Sequence, residues 1–181
     1  MHKFPEIETD RLVLRKIISN DIPKIIEYAG NIKIAEMTLN IPHPYAKKDA
    51  IFWLNSVSEG FKNQTQYTFG IGLNTPNEFI GGIGLKIDSK VNQAELGYWI
   101  AEPFWNKGYA TEAVEAVLKF GFTQLNLDKI HANHFAKNPS SGKVMLKNGM
   151  LKQGELPQQA KKGNEYKSLI QYSLTHIEFK N

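Results

Sequence analysis

The order of apolar and polar residues changes its period several times along the chain. Period-two alternation predicts half-buried strands, whereas apolar residues spaced by three and four positions predict amphipathic helices. The predicted strands are Thr9–Ile17, Tyr67–Leu73, Phe79–Ile87, Ala94–Ala101, Lys129–Phe135, Met150–Gly154 and Tyr166–His176. The predicted helices follow the cap at Asn20 and Asp21, span about Lys48–Lys62, begin near Gly108 and span Ser140–Lys147. The predicted order is therefore β-α-α-β-β-β-α-β-α-β-β.

The longest predicted helix carries a continuous apolar stripe. Its members are Ala110, Ala113, Val114, Val117, Leu118 and Leu125. Three predicted strands precede this helix in direct succession, which favours an antiparallel meander. The predicted fold class is α+β, with one sheet and helices on its faces. Neither a repeat nor a linker interrupts the pattern, so residues 1–181 are expected to form a single domain.

Composition narrows the class of protein further. Of the 181 residues, 41% are apolar and 22% are charged, which is ordinary for a soluble domain with a hydrophobic core. No apolar run is long enough to span a bilayer, and the first residues lack the pattern of a secretory signal. The chain has no cysteine, which excludes disulfides, thiolate metal sites and a cysteine nucleophile. We therefore expect a cytoplasmic protein with no membrane partner, and the spacing of its five histidines predicts no metal.

The net charge of +4 favours an anionic ligand but does not specify one. Lys161 and Lys162, beside Gly163, are predicted to lie in a solvated loop, and no DNA partner is expected. Docking on RNA stays open as an alternative, although no stripe of aromatic and basic residues accompanies the charge.

The most informative segment is Ala94–Ala113, where a strand passes through a tight loop into a helix N-terminus. The first amides of a helix have no intrahelical partner, and the helix dipole favours negative charge there. Gly108 permits close approach of a ligand to the backbone, and Lys107 adds a cation. Asn106–Glu112 is therefore a candidate phosphate cradle. A helix start without a ligand remains the alternative.

Two better-known phosphate cradles are excluded. A P-loop requires a lysine after its last glycine, whereas Lys107 precedes Gly108. A dinucleotide fold requires three spaced glycines that open a helix. Gly81, Gly82 and Gly84 instead lie within a strand pattern, where glycine usually marks a bulge or close packing.

Several motifs resemble the GNAT superfamily of acetyl-CoA-dependent N-acetyltransferases, and within it the branch that acetylates the N-termini of ribosomal proteins. The similar segments, in the order expected for that branch, are Glu8–Arg15, Phe79–Leu85, Glu95–Ile100, Trp105–Ala113 and Asn138–Ser141, followed by Val144, Lys147, Asn148, Gly149 and Met150. Four positions depart from the family's patterns. Trp105 replaces Gln or Arg, Ala110 replaces a glycine, and Met145 replaces the tyrosine that serves many relatives as a general acid. Met150 replaces a phenylalanine, a change that is expected to affect packing only.

The resemblance implies a mixed, mostly antiparallel sheet that splays between its fourth and fifth strands, with acetyl-CoA bound in the split. The residues that it assigns to acetyl-CoA are Trp99, Ile100 and Ala101 for pantetheine, Asn106, Lys107, Gly108, Tyr109, Ala110 and Thr111 for the pyrophosphate, Asn138 and Ser141 for the chain near the thioester, and Lys143 or Lys147 for the ribose phosphate.

Because cysteine is absent, direct attack of an amine within a ternary complex is the simplest chemistry. Glu95 is the candidate general base, through water, and its alternative role is a structural hydrogen bond on the strand face. A backbone N–H near Ile100 is placed to polarise the thioester carbonyl, and Ser141 to donate to the departing thiolate. A non-catalytic acyl-CoA-binding sensor is the rival function, favoured by the methionine at position 145.

The expected acceptor is a primary amine, either the α-amine of a protein N-terminus, a ribosomal protein included, or a small molecule. An α-amine has a reference pKa of about 7.7–8.0 and lysine about 10.4, so an α-amine needs only a mild base. The acceptor pocket is expected to involve Tyr45, Trp53, His134 and Glu155, together with Glu36 and Met37. Monomer and homodimer are both compatible with the sequence.

Overall fold

The computed structural model describes residues 3–180, which form one eight-stranded sheet in the order β1-β2-β3-β4-β5-β6-β8-β7. The strands are β1 Ile7–Glu8, β2 Leu12–Arg15, β3 Gln66–Leu73, β4 Phe79–Asp88, β5 Gln93–Ile100, β6 Lys129–Phe135, β7 Leu151–Lys162 and β8 Glu165–Thr175. The helices are α1 Ile22–Ala29, α2 Ile32–Met37, α3 Lys47–Lys62, α4 Tyr109–Thr123, α5 Pro139–Lys147 and α6 His176–Lys180. Within residues 3–180, no helix has the length and apolar character needed to cross a bilayer.

The sheet is antiparallel except at β5 and β6, which run parallel in its middle. These two strands pair only from Gln93–Leu96 to Lys129–Ala132. Beyond Leu96 they separate, while β5 continues to pair with β4 as far as Ile100. The predicted α+β class is confirmed, and so is the predicted split, because β5 and β6 are the fourth and fifth strands of the predicted order.

Helices cover both faces of the sheet. α4 packs on β2, β4 and β5, and the predicted stripe is buried there, with Ala113, Val114, Val117 and Leu118 at most 1% exposed. α1 and α3 pack on β3 and β4 from the other side. A second, smaller core forms beneath them around Ile25, Ala50 and Phe79. The split between β5 and β6 therefore opens between two helix-covered faces.

The glycines of β4 are required by close packing, as the sequence predicted. A Cβ added to Gly81 would lie 2.2 Å from the carbonyl oxygen of Trp99 on β5. A Cβ on Gly84 would lie 2.6 Å from the Thr68 hydroxyl on β3. Any side chain at either position would push neighbouring strands apart beside the split.

Several elements differ from the prediction. The strand predicted at Thr9–Ile17 is confined to Leu12–Arg15, because the Thr9 hydroxyl and amide bond to Leu12 and close a turn between β1 and β2. The first helical region, expected to end near Met37, is divided into α1 and α2, and Asn31 caps α2 by accepting from the Lys33 amide. The short α6 was not predicted. The strand predicted at Met150–Gly154 extends to Lys162, because β7 is paired with β8 along most of its length.

Candidate active site

The split leaves one edge of β5 without a strand partner. The amide of Ala101 donates to Ile80 of β4 at 2.8 Å, and successive peptide groups of a strand point to opposite sides, so the N–H of Ile100 points into the split. The carbonyl of Ile100 points the same way but accepts a hydrogen bond from the indole Nε1 of Trp105 at 2.6 Å. The Ile100 N–H therefore remains as a donor at this edge, whereas the Ile100 carbonyl is already bound by the Trp105 side chain.

The loop after β5 turns the chain into the N-terminus of α4. Asn106 and Gly108 both have positive φ, at 60° and 82°, and Gly108 is the N-cap. The amide of Glu112 donates the first intrahelical bond, to the Gly108 carbonyl at 3.1 Å. The amides of Tyr109–Thr111 lie ahead of that bond and are available to an anion. Asn106, Lys107 and Gly108 are exposed, so a ligand can reach this cradle.

The cradle is braced from the start of the chain. The carboxylate of Glu112 accepts hydrogen bonds from the Thr9 hydroxyl at 2.6 Å, the Arg11 amide at 2.9 Å and the Arg11 Nε at 2.7 Å. Burial would raise the pKa of Glu112, but these hydrogen bonds and the guanidinium charge outweigh it, so the pKa lies below its usual value. Glu112 is thus ionised at neutral pH and fixes the first turn of α4.

Arg11 also holds the loop itself. Its Nη1 donates to the carbonyl of Lys107 at 2.9 Å, and its guanidinium lies 4.7 Å from the centre of the Tyr109 ring. This role of Arg11 was not predicted from the sequence. The available signal was an acidic residue, Glu112, in the first turn of a helix, but one sequence does not reveal which cation a hundred residues away pairs with it.

Asn138 and Ser141 are brought together at the N-terminus of α5. The Asn138 amide donates to the Ser141 hydroxyl at 3.1 Å, and its side-chain oxygen accepts from the Ser141 amide at 3.4 Å. The Tyr98 hydroxyl donates to the Ser141 carbonyl at 3.2 Å. α5 is therefore tied to β5 across the split. Lys143 and Lys147 lie exposed on the same helix.

Tyr98 places a phenol close to the split, and no chemical role for it was predicted from the sequence. Burial raises the pKa of Tyr98 to about 12, against the smaller opposing effect of its hydrogen bond with Ser141. A thiol has a reference pKa of about 8.5, so this phenol is a far weaker acid than a thiol. Tyr98 can donate a hydrogen bond, but full proton transfer from it to a thiolate is unfavourable. Met145, 1% exposed, carries no proton to donate.

A cleft of about 810 Å³ extends from the split to the helices on the other face of the sheet. Four of the residues expected at the acceptor side line it: Met37, Tyr45, Trp53 and His134. Glu36 and Glu155 are exposed and lie outside this lining. Ser141 and Glu95 both line the cleft.

Glu95 lies on the exposed face of β5, where its carboxylate accepts a hydrogen bond from the Asn133 amide at 3.2 Å. Its cross-strand neighbour is Lys86. The side-chain oxygen of Asn133 is buried and has no hydrogen-bond partner among residues 3–180. Glu95 is thus both hydrogen-bonded and open to the cleft, so neither of the two predicted roles is excluded.

Lys162 was predicted to lie in a solvated loop, and this prediction is wrong because its ammonium is bound by the protein. Its ammonium donates to the carbonyls of Ala35 at 2.6 Å, Thr38 at 2.5 Å and Ile41 at 2.9 Å. It therefore binds the end of α2 and the loop that follows, which lines the cleft. Burial lowers the pKa of Lys162, and the nearby charges of Lys137 and Lys167 lower it further. The end of β7 thus contacts a loop that lines the cleft, because β7 is longer than predicted.

His134 is 8% exposed, stacks on Tyr172 and donates from Nδ1 to the Phe135 carbonyl at 2.8 Å. Its Nε2 is buried without a partner among the residues that the structure describes. Burial lowers the pKa of His134, and the charge of Lys152 lowers it further, while the bond to Phe135 opposes both. Protonation of this side chain in the folded protein is therefore unfavourable.

His134 is expected to make stability depend on pH. The unfolded chain takes up a proton on this side chain as pH falls through about 6.5, whereas the folded chain resists it. Stability is then complete above about pH 6.5 and is lost as pH falls toward the lower folded pKa, by about 1.4 kcal/mol for each pKa unit of lowering. Thermal melts at pH 8 and pH 5 should show a smaller decrease for His134→Phe than for the wild type. Equal decreases would contradict this origin.

Comparison with known proteins agrees with this geometry. The acetyltransferase (GNAT) domain family matches residues 11–151. The N-acetyltransferase YoaA of Bacillus subtilis is 31% identical over 156 residues, which cover 86% of this chain and 88% of that protein. The ribosomal protein uS5-alanine N-acetyltransferase of Escherichia coli is 25% identical over 157 residues, 82% of this chain and 79% of that protein.

Comparison with solved structures gives the same family of proteins. A GNAT-family acetyltransferase from Bacillus anthracis superposes with a TM-score of 0.84 at 26% identity, covering 96% of this chain and 99% of that one. Proteins with this fold have also been solved with coenzyme A or acetyl-CoA. The family match and the named relatives identify the class of protein as an N-acetyltransferase, and the split sheet is the fold of that class. The chain belongs to the GNAT acetyltransferase family, and its relatives include ribosomal-protein N-acetyltransferases.

Proposed function

We propose that this protein transfers an acetyl group from acetyl-CoA to a primary amine by direct attack within a ternary complex. The observation that carries the proposal is the split between β5 and β6, which ends beside the left-handed Gly108 at the exposed N-terminus of α4. An edge of unpaired peptide groups and a cluster of free helix amides fit the two ends of a pantetheine pyrophosphate. The absence of cysteine favours direct attack over an acyl-enzyme.

The fit to acetyl-CoA assigns a task to each part of the site. The Ile100 N–H and the backbone of Trp99 and Ala101 bind along the split, and the amides from Asn106 to Thr111 bind the pyrophosphate. Asn138 and Ser141 face the reacting end, and Lys143 or Lys147 approaches the ribose phosphate from α5. Bound acetyl-CoA supplies the acetyl group as a thioester.

Glu95 takes the proton of the acceptor amine, directly or through water. Its carboxylate faces the cleft and lies on the strand that lines the split, four residues from Trp99 and on the same face of β5. Ser141 holds a hydroxyl proton at the end of α5, where the Asn138 amide fixes its oxygen. Met145 has no proton to donate, and the Tyr98 hydroxyl already donates to the Ser141 carbonyl. The Ser141 hydroxyl, directly or through a bound water, donates a hydrogen bond that stabilises the departing thiolate.

The acceptor is an α-amine of a peptide or protein N-terminus, or a small-molecule amine. Support for a protein substrate comes from the Escherichia coli relative, which is named for acetylation of an alanine in ribosomal protein uS5. An α-amine suits this site because it is partly neutral near pH 7.5 and needs no strong base. A ribosomal protein is accordingly one candidate partner.

A non-catalytic acyl-CoA sensor is the second candidate, favoured by the buried Met145 at the position of the missing phenol. One pair of experiments separates the two functions. Calorimetric titration with acetyl-CoA should give near-stoichiometric binding, and a thiol-release assay with a panel of amines and peptides should give amine-dependent coenzyme A formation. Binding without amine-dependent release would support the sensor, and the absence of binding would contradict both.

A further inference from the structure

The acceptor half of the cleft has an open position over one glycine of β5. On β5, Glu95, Gly97 and Trp99 share one face, because side chains alternate along a strand. A Cβ added to Gly97 would meet no atom within 4 Å, so the space above it is open. The space over its cross-strand neighbour Gly84 is filled by the Thr68 hydroxyl of β3. The open space over Gly97, between the side chains of Glu95 and Trp99, is called the trough below.

This trough leads directly to the split. β5 pairs with β6 only as far as Leu96, so Gly97 is the first residue at which the two strands separate. A molecule that crosses Gly97 passes between Glu95 and Trp99 and reaches the unpaired edge of β5. The trough is therefore the short path from the acceptor cleft to the place where a thioester would lie.

The side of the cleft that faces α3 is lined by the aromatic side chains of Trp53 and Trp99. A Cβ added to Gly82 would lie 2.9 Å from Cη2 of Trp53 and 3.0 Å from Nε1 of Trp99, so both indoles close over this residue. Their ring centres are 6.2 Å apart. At the cleft mouth, Phe52 is 75% exposed and Leu39 is 43% exposed. Large apolar side chains left open to solvent at a cleft favour an apolar ligand group.

Few charged side chains line the cleft. Its charged lining residues are Asp49, Lys86 and Glu95. One oxygen of Asp49 already accepts the Ala46 amide at 2.7 Å as part of the α3 cap, and Lys86 lies opposite Glu95 in the strand register. A polyamine needs several spaced carboxylates, and this lining offers one that is open and close to the trough. Charge complementarity thus favours a ligand with a single ammonium.

We propose that the acceptor is a primary monoamine that carries an aromatic or branched apolar group and enters across Gly97. The amine lies beside Glu95, and its apolar group packs on Trp53 and Phe52. This inference rests on the proposed acetyl transfer and narrows its acceptor. The proposed monoamine differs from a polyamine and from an amine that is recognised mainly by its charge.

The first test compares amines in the thiol-release assay. We expect kcat/KM for 2-phenylethylamine and 3-methylbutylamine to exceed that for ethylamine and spermidine by at least about tenfold. Equal or faster turnover of ethylamine or spermidine would overturn the inference and leave acetyl transfer intact. Release with none of these four amines, despite acetyl-CoA binding, would overturn the inference, whereas the proposed function would fail only if peptides with free N-termini also gave no release.

The second test blocks the trough. Valine suits a strand and has open space at position 97, so Gly97→Val should fold with a melting temperature close to that of the wild type. Tryptophan fluorescence reports on Trp53 and Trp99, and it should show 2-phenylethylamine binding to the coenzyme A-saturated variant at least about tenfold more weakly. Acetyl-CoA affinity should change by less than about threefold. Unchanged amine affinity in a folded variant would overturn the inference.

Ile51 on α3 provides a matched control for the contact of the apolar group with Phe52. Phe52→Ser should lower kcat/KM for 2-phenylethylamine by at least about threefold while that for ethylamine is maintained, because only the larger amine reaches the ring. Ile51, its 41% exposed neighbour, lies outside the cleft lining, so Ile51→Ser should leave both values within about twofold. Equal effects of the two substitutions would overturn the packing of the apolar group on Phe52.

Discussion

Replacing Gly108 with tryptophan is expected to weaken acetyl-CoA binding by at least about a hundredfold, equivalent to about 2.7 kcal/mol. The residue has φ of 82°, which a side chain adopts only with strain, and it is the N-cap that presents the amides of α4. An indole there would also collide with Arg11, whose Nη2 lies 3.3 Å from the position of an added Cβ. Calorimetric titration with acetyl-CoA measures the loss.

Gly163 provides a matched control for backbone strain. It has φ of 58° at the β7–β8 turn, and an added Cβ would meet nothing within 4 Å. Gly163→Trp should therefore lose a similar amount of stability, about 1–2 kcal/mol, but retain acetyl-CoA affinity. If both variants lost affinity equally, the effect would be one of stability, and the cradle at Gly108 would be refuted.

Glu95→Gln is expected to lower kcat by about 10²–10⁴-fold, the usual contribution of a positioned general base. The amide is close to isosteric with the carboxylate but cannot take a proton from the amine. Acetyl-CoA affinity should stay within about threefold, because Glu95 lies on the face of β5 that carries the acceptor cleft. Steady-state kinetics with saturating acetyl-CoA, together with calorimetry, separates the two quantities.

Two further variants separate catalysis from structure. Asn133→Ala removes the 3.2 Å hydrogen bond to Glu95 but leaves the carboxylate, so kcat should fall far less than in Glu95→Gln. Glu155→Gln changes an exposed carboxylate outside the cleft and should leave kcat unaltered. If kcat of Glu95→Gln equalled that of the wild type, or if Asn133→Ala reproduced its loss, the carboxylate would be structural.

The clearest predictions from sequence concern local periodicity. The stripe from Ala113 to Leu118 is buried on the sheet, since helical spacing alone decides which side chains share a face. The glycines at 81 and 84 lie in a strand with backbone and side chains packed against them, as their place in an alternating pattern indicated. The α4 N-terminus was also predictable, because a glycine between a strand and an apolar stripe leaves the helix amides exposed.

Contacts between distant segments were not predictable. Arg11 binds Glu112 and the Lys107 carbonyl across about a hundred residues, and Lys162 binds the α2 end more than a hundred residues earlier. A single sequence does not distinguish a solvated lysine from a lysine whose ammonium donates to three backbone carbonyls. Its environment depends on which strands pair and how long they run.

The sequence by itself determined most of the strands, the apolar faces of the helices and the start of α4 at Gly108, because each depends on residues that are close along the chain. Only the tertiary structure decided where β5 leaves β6, which cations hold the start of α4 and the loop after α2, and that the space over Gly97 is open. These features depend on the register between strands and on side chains that meet through space, and no local pattern encodes either.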